Sequence, residues 1–222
     1  MSPIGGGAAY ATRVRAFVIA HGDPPSAELV RRLAAGAGMI VAADGGALIA
    51  LDRGITPDAV VGDLDTMSEH PDAPIPADRF HKEDVLDTTD LQKSIAYAIE
   101  RGAMEVDVIA HGGGRADHAL ANLSVLTTFR GTPVRLHDDQ FVISLVDGFA
   151  EIRGEPGTLI SLVAIGVCSG VTTTGMRWDL DNFTLRFSPR GIHNELAGRL
   201  ATVSVRTGDL LLFEGRWIER HK

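Results

Sequence analysis

The first two thirds of the chain alternate short apolar runs with stretches of helical periodicity. Phe17-Val18-Ile19-Ala20 stops at His21-Gly22-Asp23-Pro24-Pro25, and Leu29, Val30 and Leu33 then recur at helical spacing until Gly36. Met39–Ala43 is a second run and ends in Asp44-Gly45-Gly46. A short helix closes at Gly54, and Ala59-Val60-Val61 runs into Gly62-Asp63. Thr89-Asp90-Leu91-Gln92 has the form of a capping box, and Leu91, Ile95 and Ala98 continue one apolar stripe to Gly102. A strand over 106–110 leads into His111-Gly112-Gly113-Gly114. One helix is then predicted from about Asp117, with Leu120, Leu123 and Leu126 apolar, up to Gly131. Continuous apolar runs separated by helices predict strands buried on both faces, hence a mostly parallel sheet with covering helices.

The pattern changes near Gly148. Beyond it come only short β-branched runs, at 159–164, 171–174, 183–187, 201–206 and 209–213, broken by Gly, Pro and Asn. Such spacing predicts a small antiparallel sandwich or barrel. The expected organisation is therefore a Gly/Ala-rich flexible tail (1–13), an α/β unit (14–147) and an all-β unit (148–222). The α/β unit is Rossmann-like but has no Gly-x-Gly-x-x-Gly.

Composition narrows what such a chain does. The 222 residues are 45% hydrophobic and 23% charged, and no apolar run approaches the roughly 18 residues of a membrane-spanning helix. The start of the chain lacks a signal-peptide core, and the single Cys168 suits a reducing cytoplasm and excludes a cysteine-based zinc site. A net charge of −8 argues against a nucleic-acid binder. Residues 44–90 hold ten Asp and two Glu against Arg53, Arg79 and Lys82, so nearly all of that charge is one aspartate-rich segment. Short carboxylates among glycines are what a hard cation such as magnesium requires, although solvated loops also carry them.

Three Asp-bearing turns follow apolar runs: Asp44-Gly45-Gly46, Gly62-Asp63-Leu64-Asp65 and Asp87-Thr88-Thr89-Asp90. The carboxyl edge of an open α/β sheet is where ligands bind. In an extended backbone the spacing of two puts the carboxylates of Asp63 and Asp65 on one side. Asp63, Asp65, Asp87 and Asp90 are thus candidates to hold one or two magnesium ions, while Asp90 also suits any helix start. In His111-Gly112-Gly113-Gly114-Arg115-Ala116-Asp117-His118 the glycines let backbone amides approach a phosphate and Arg115 offers a fork of donors. The same glycines also suit a plain turn. His118 and Asn122 share a helix face. With three lysines and no Gly-Lys dipeptide there is no Walker A loop, so phosphate charge falls to magnesium, amides and arginine. Trp178 either stacks on a cationic ring or belongs to the core.

These residues, with Thr174-Gly175-Met176-Arg177-Trp178 and Asn194-Glu195, resemble the thiamine pyrophosphokinases over about 18–213. Thr66 stands where a serine is usual in that family, and His193 precedes Asn194 where Ser-Asn is common. The resemblance implies an enzyme that transfers diphosphate from ATP to the hydroxyl of thiamine, giving thiamine diphosphate and AMP. It implies Asp63, Asp65, Asp87 and Asp90 as the catalytic carboxylates, the first three on Mg2+. Asp44, Gly45, Gly113, Gly114, Arg115, Asp117, His118 and Asn122 would serve the nucleotide, and Trp178, His193 and Asn194 the thiamine. It also implies a cytoplasmic homodimer with thiamine between the first unit of one subunit and the β-unit of the other. The alternatives are a related magnesium-dependent pyrophosphokinase or nucleotide hydrolase with another acceptor, or a non-catalytic binding module.

Overall fold

The computed structural model describes residues 14–85 and 87–218; the predicted tail over 1–13 lies outside them. Its first half is β1 (Arg15–Ile19), α1 (Ala27–Ala35), β2 (Met39–Ala43), α2 (Gly46–Asp52), β3 (Ala59–Gly62), α3 (Asp65–Ser68), β4 (Phe80–Lys82) and α4 (Asp90–Glu100). Then follow β5 (Glu105–Ile109), α5 (Ala116–Asn122), α6 (Val125–Thr128), β6 (Val134–His137) and β7 (Phe141–Val146). The remaining strands are β8 (Phe149–Arg153), β9 (Thr158–Thr174), β10 (Phe183–Arg186), β11 (Asn194–Glu195), β12 (Leu200–Ser204) and β13 (Thr207–Ile218).

The strand order is β4-β3-β2-β1-β5-β6-β7-β13-β9-β12-β8, with β10 and β11 also paired to β9. β4 to β6 are parallel, and every pairing from β6–β7 onward is antiparallel. Both faces of the parallel part are covered, which is why its strands read as continuous apolar runs. Val18, Val61, Val108 and Leu136 pack with Leu91, Ile95 and Ala98 of α4 on one face. Phe17, Ile19 and Ile109 pack with Leu29, Val30 and Leu33 of α1 on the other. Thr89 caps α4 as its sequence predicts, its hydroxyl accepting from the Gln92 N–H at 3.2 Å.

Two expectations about single elements change, and the boundary expected near residue 148 is crossed by strand pairing. The runs at 159–164 and 171–174 are one strand, β9, which turns through left-handed Gly166 and Gly170 instead of ending there. The helix predicted from Asp117 to Gly131 is two, α5 and α6. At the join, Leu123 and Ser124 N–H groups bond carbonyls only three residues back, Leu120 and Ala121, which tightens the last turn of α5 and ends it. α5 buries no side chain, so Leu120 is 61% exposed rather than core. Finally, the last strand, β13, inserts between β7 and β9, so strand pairing crosses the boundary expected near residue 148.

β13 is also tied to the parallel strands by a buried ionic network. Asp107 on β5 accepts from Arg135 Nε at 2.9 Å and lies 2.7 Å from His137 Nε2, and Arg15 Nε is 3.2 Å from its other oxygen. An ionised carboxylate only accepts, so Nε2 carries the proton and Nδ1 is left to accept from Arg216 of β13. Burial, which also pushes the His137 pKa down, suits this neutral tautomer. Burial would raise the Asp107 pKa, but His137 and Arg135 hold it at about 2, against an ordinary 3.8. A lowered carboxylate pKa stabilises the fold above pH 3.8, and the contribution disappears as pH falls towards 2. Asp107→Asn should therefore cost about 2 kcal/mol at neutral pH by denaturant unfolding. The gap from the parent should narrow only below pH 4; a gap constant down to pH 3 would exclude Asp107 as the source.

Candidate functional site

The chain leaves each parallel strand in a sharp turn, and these turns ring one cavity of about 940 Å3 at the carboxyl edge of the sheet. Asp44 after β2, Leu64 after β3 and Ala110 after β5 all have positive φ, at 39°, 63° and 55°. Non-glycine residues in that region cost about 1–3 kcal/mol each and cluster at functional sites.

The acidic side of the cavity is built around Asp44, which is buried. Its Oδ2 accepts from the Thr66 N–H at 3.1 Å and its Oδ1 from the Met67 N–H at 3.2 Å. Asp63 Oδ1 accepts from the Asp65 N–H at 3.2 Å. The first N–H groups of α3, which a helix cannot satisfy itself, are thus met by three carboxylates, the Thr66 N–H also reaching Asp65 Oδ1 at 2.5 Å. The result is that ligand oxygens of Asp44, Asp63 and Asp65 all lie within 4.8 Å of one another. The convergence does not come from an extended Asp63-Leu64-Asp65, as the spacing of two suggested. Left-handed Leu64 starts α3 at Asp65, and the turn brings the carboxylates together.

Asp90 lines the same cavity but is engaged within the protein. Its Oδ1 accepts from Lys93 Nζ at 2.9 Å and from the Asp63 N–H at 3.3 Å. Asp87 is exposed and lies outside both the three-carboxylate group and the cavity lining. The carboxylate that stands beside Asp63 and Asp65 is Asp44, which reaches α3 from the neighbouring strand.

On the other side, the loop after β5 rests on the loop after β1. Gly22 N–H donates to the Ala110 carbonyl at 2.7 Å and Asp23 N–H to the Gly112 carbonyl at 2.8 Å. The approach excludes side chains: a Cβ on Gly22 would stand 2.1 Å from the Gly112 oxygen, and one on Gly113 2.2 Å from the Asp23 carboxyl. Asn122 Nδ2 donates to the His111 carbonyl at 2.7 Å, so its part here is to hold the loop. Asp117 accepts both arms of the Arg115 fork, at 2.6 and 3.1 Å, and this hydrogen bonding holds its own pKa at about 2. Gly113, Gly114, Arg115 and His118 line the cavity; Gly45 and Asp117 lie beside lining residues.

Trp178, His193 and Asn194 are elsewhere; none lines the cavity. Trp178 is 53% exposed under the Arg177 guanidinium, 4.7 Å from its ring centre, and is not core. Asn194 Oδ1 accepts from the Trp178 N–H at 3.2 Å while its Nδ2 donates to the Trp178 carbonyl at 2.8 Å. His193 is exposed, with φ of 64°, and its N–H donates to Ser161 Oγ at 3.0 Å.

Several lining residues escaped the sequence reading: His21, Asp23, Thr88, Lys93 and His111. For His21 and Asp23 the signal was available, since the Gly-Pro turn holding them follows the apolar run of β1. Lys93 stands three residues after Asp90 on a helix, a spacing that pairs charges.

The fold and the site together define a mixed-sheet α/β protein with an acidic cleft suited to a divalent cation and a glycine–arginine loop facing it. The description "Thiamin pyrophosphokinase, catalytic domain" matches residues 30–137, and "Thiamin pyrophosphokinase, vitamin B1 binding domain" matches 150–212. The chain belongs to the thiamin pyrophosphokinase family. It is 30% identical over 175 residues to thiamine pyrophosphokinase 3 of Oryza sativa subsp. japonica, covering 71% of this chain and 64% of that protein. It is 29% identical over 184 residues to the thiamine pyrophosphokinase of Bacillus subtilis, covering 78% of this chain and 85% of that one. Matches to the Arabidopsis thaliana relatives span 42% of their length. The crystal structure of the Bacillus subtilis thiamine pyrophosphokinase superposes with a TM-score of 0.77 at 26% identity, over 90% of this chain and 98% of that one.

Replacing Asp44 by Ala leaves the Met67 N–H without an acceptor and the Thr66 N–H with only the Asp65 carboxylate. About 2 kcal/mol of stability should be lost. A urea midpoint no lower than that of the exposed Asp72→Ala would show that α3 does not hang on this carboxylate.

Proposed function

We propose that the protein transfers diphosphate from ATP to the hydroxyl of thiamine, so that ATP and thiamine give thiamine diphosphate, AMP and a proton. What supports this is one cavity that joins a three-carboxylate cluster to a glycine–arginine loop, in a chain matching both family domains. The thiamine oxygen attacks the β-phosphorus, and the bond from that phosphorus to the bridging oxygen of AMP breaks. Such transfer asks a protein mainly for positioning and charge neutralisation.

Asp63 and Asp65, exposed to the cavity with Asp44 behind them, fit a divalent cation such as Mg2+. Three like charges this close repel one another unless a cation lies among them. When bound, the ion supplies the positive charge that lets a triphosphate lie beside these carboxylates. Gly113, Gly114 and Arg115 face the phosphates with backbone amides and a guanidinium held by Asp117. Lys93 and Asp90 fix the position of the Asp63 backbone.

On this reading residues 14–147 bind ATP and Mg2+, and 148–222 bind thiamine through Trp178, His193 and Asn194. Within one chain these three residues stand outside the cavity, so two copies complete each other's sites as a homodimer. No helix among the described residues is long and apolar enough to cross a membrane, and Cys168 is buried and free. A cytoplasmic location belongs to the same proposal.

In magnesium buffer, AMP should form from ATP only when thiamine is present, and a chelator should stop it. Thiamine-independent AMP release would replace this reading with a hydrolase or with another acceptor. The shared site is tested by mixing two inactive variants, Asp63→Asn and Trp178→Ala. Half of randomly mixed dimers pair the variants, and each such dimer carries one intact site, so about a quarter of parental activity should return. No recovery after verified subunit exchange would place both residues in one chain's site.

A further inference from the structure

Two buried polar atoms of residues in the cavity wall, Thr88 Oγ1 and His111 Nε2, have no hydrogen-bond partner among the described residues. Thr88 sits just before α4, on the carboxylate side. His111 follows β5, and β2 and β1 separate β5 from β3 and its Asp63. His111 is only 8% exposed, and the main chain fixes it on both sides: Ala110 before it is left-handed, and Asn122 holds its carbonyl. Folding has therefore desolvated a ring nitrogen of a cavity-lining residue and left it unsatisfied. That arrangement is unfavourable until a ligand supplies the missing partner.

The chemistry of that partner follows from the surroundings. Burial pushes the His111 pKa down; Asp138 opposes this and His137 adds to it, so the ring is neutral near pH 7. A phosphate would draw a proton onto the ring, against its burial, and phosphates already have the loop amides and Arg115. A neutral imidazole nitrogen in a dry wall suits the edge of a neutral heteroaromatic ring. Neighbouring strands are about 4.8 Å apart, so the rim from β3 to β5 spans about 14 Å. A nucleoside triphosphate laid along that rim, its phosphates between the carboxylates and the Gly113–Arg115 loop, ends with its base at the β5 wall that holds His111.

We propose that His111 Nε2 hydrogen-bonds the edge of the nucleotide's base and sets which nucleoside triphosphate is used as donor. This rests on reading the cavity as the ATP site.

The test compares the parent with His111→Phe, which keeps a ring and loses the polar nitrogen, and His111→Gln, which keeps a polar end. Each is titrated, with Mg2+, with ATP, with the purine riboside triphosphate lacking the 6-amino group, and with inorganic tripolyphosphate; the KM for thiamine is measured alongside. His111→Phe should weaken ATP about tenfold and erase the preference for ATP over the deaminated analogue, because the loss is one buried hydrogen bond. Tripolyphosphate affinity and thiamine KM should stay at parental values, and His111→Gln should recover part of the ATP affinity. If His111→Phe does not fold, His111→Gln carries the test alone, with the preference between ATP and the analogue altered and tripolyphosphate unchanged. An equal loss for tripolyphosphate, a loss confined to thiamine, or unchanged ATP binding would each overturn the assignment. A parent that binds no ATP would instead overturn the reading of the cavity, a separate and recognisable result.

Discussion

Asp44 is buried at the end of β2; its own N–H bonds the Val61 carbonyl of β3, and its two oxygens accept the Thr66 and Met67 N–H groups of α3. A carboxylate removed from water without partners would be very costly, so these hydrogen bonds are the condition for having the charge there at all. Everything on the acidic side follows from that condition. Because α3 must begin where Asp44 can reach it, the chain has a single residue, Leu64, in which to turn from Asp63 to the helix. Leu64 makes the turn by going left-handed, and Asp63 and Asp65 end up facing the same space. The cluster is thus held by backbone hydrogen bonds from the protein's side while the two exposed carboxylates remain open to a ligand.

The opposite wall is held differently. There the loops after β1 and β5 contact each other through backbone N–H and carbonyl groups, at a distance that excludes a Cβ on Gly22 or Gly113. Side-chain charge enters at Asp23, beside Gly113, and at the outer end, where Arg115 and Asp117 pair in solvent. A wall made of backbone donors and a pre-oriented guanidinium, facing a wall of carboxylates, is complementary to a ligand that brings both cation and polyanion. Neither wall alone would favour a triphosphate: the first repels it, and the second gives it few partners.

How far the sequence announced this differs by residue, for physical reasons. The parallel strands were legible because burial on both faces leaves uninterrupted apolar runs, and α4 because its cap is local. β9 was misread as two strands because Gly166 and Gly170 signal breaks, whereas in the structure they turn a strand that continues into new pairings. The single helix expected from Asp117 to Gly131 failed because the apolar spacing persists across a join at Leu123 and Ser124, where the hydrogen bonds shorten to three residues. At the site, Asp44, Asp63 and Asp65 were legible as candidates since they end or follow apolar runs. That Asp44 and not Asp87 completes the group was not, because it depends on which strands are neighbours. The places of Lys93 and His111 in the chain were legible, but their burial was not, being a property of tertiary packing.

The boundary near residue 148 is where pattern and structure diverge most usefully. Composition separates an α/β part from a β part, and the family descriptions likewise match on either side of it. Yet β13 pairs with β7, and Arg216 on β13 bonds His137, which in turn bonds Asp107 on β5. For this chain of hydrogen bonds to close, His137 must stay neutral, with its one proton on Nε2. A neutral His137 lies close enough to His111 that charging it would act directly on a residue of the cavity wall. The C-terminal strand therefore does more than extend the sheet. By supplying a donor to Nδ1 it fixes the tautomer of His137, and so keeps a positive charge away from His111 at the β5 end of the cavity.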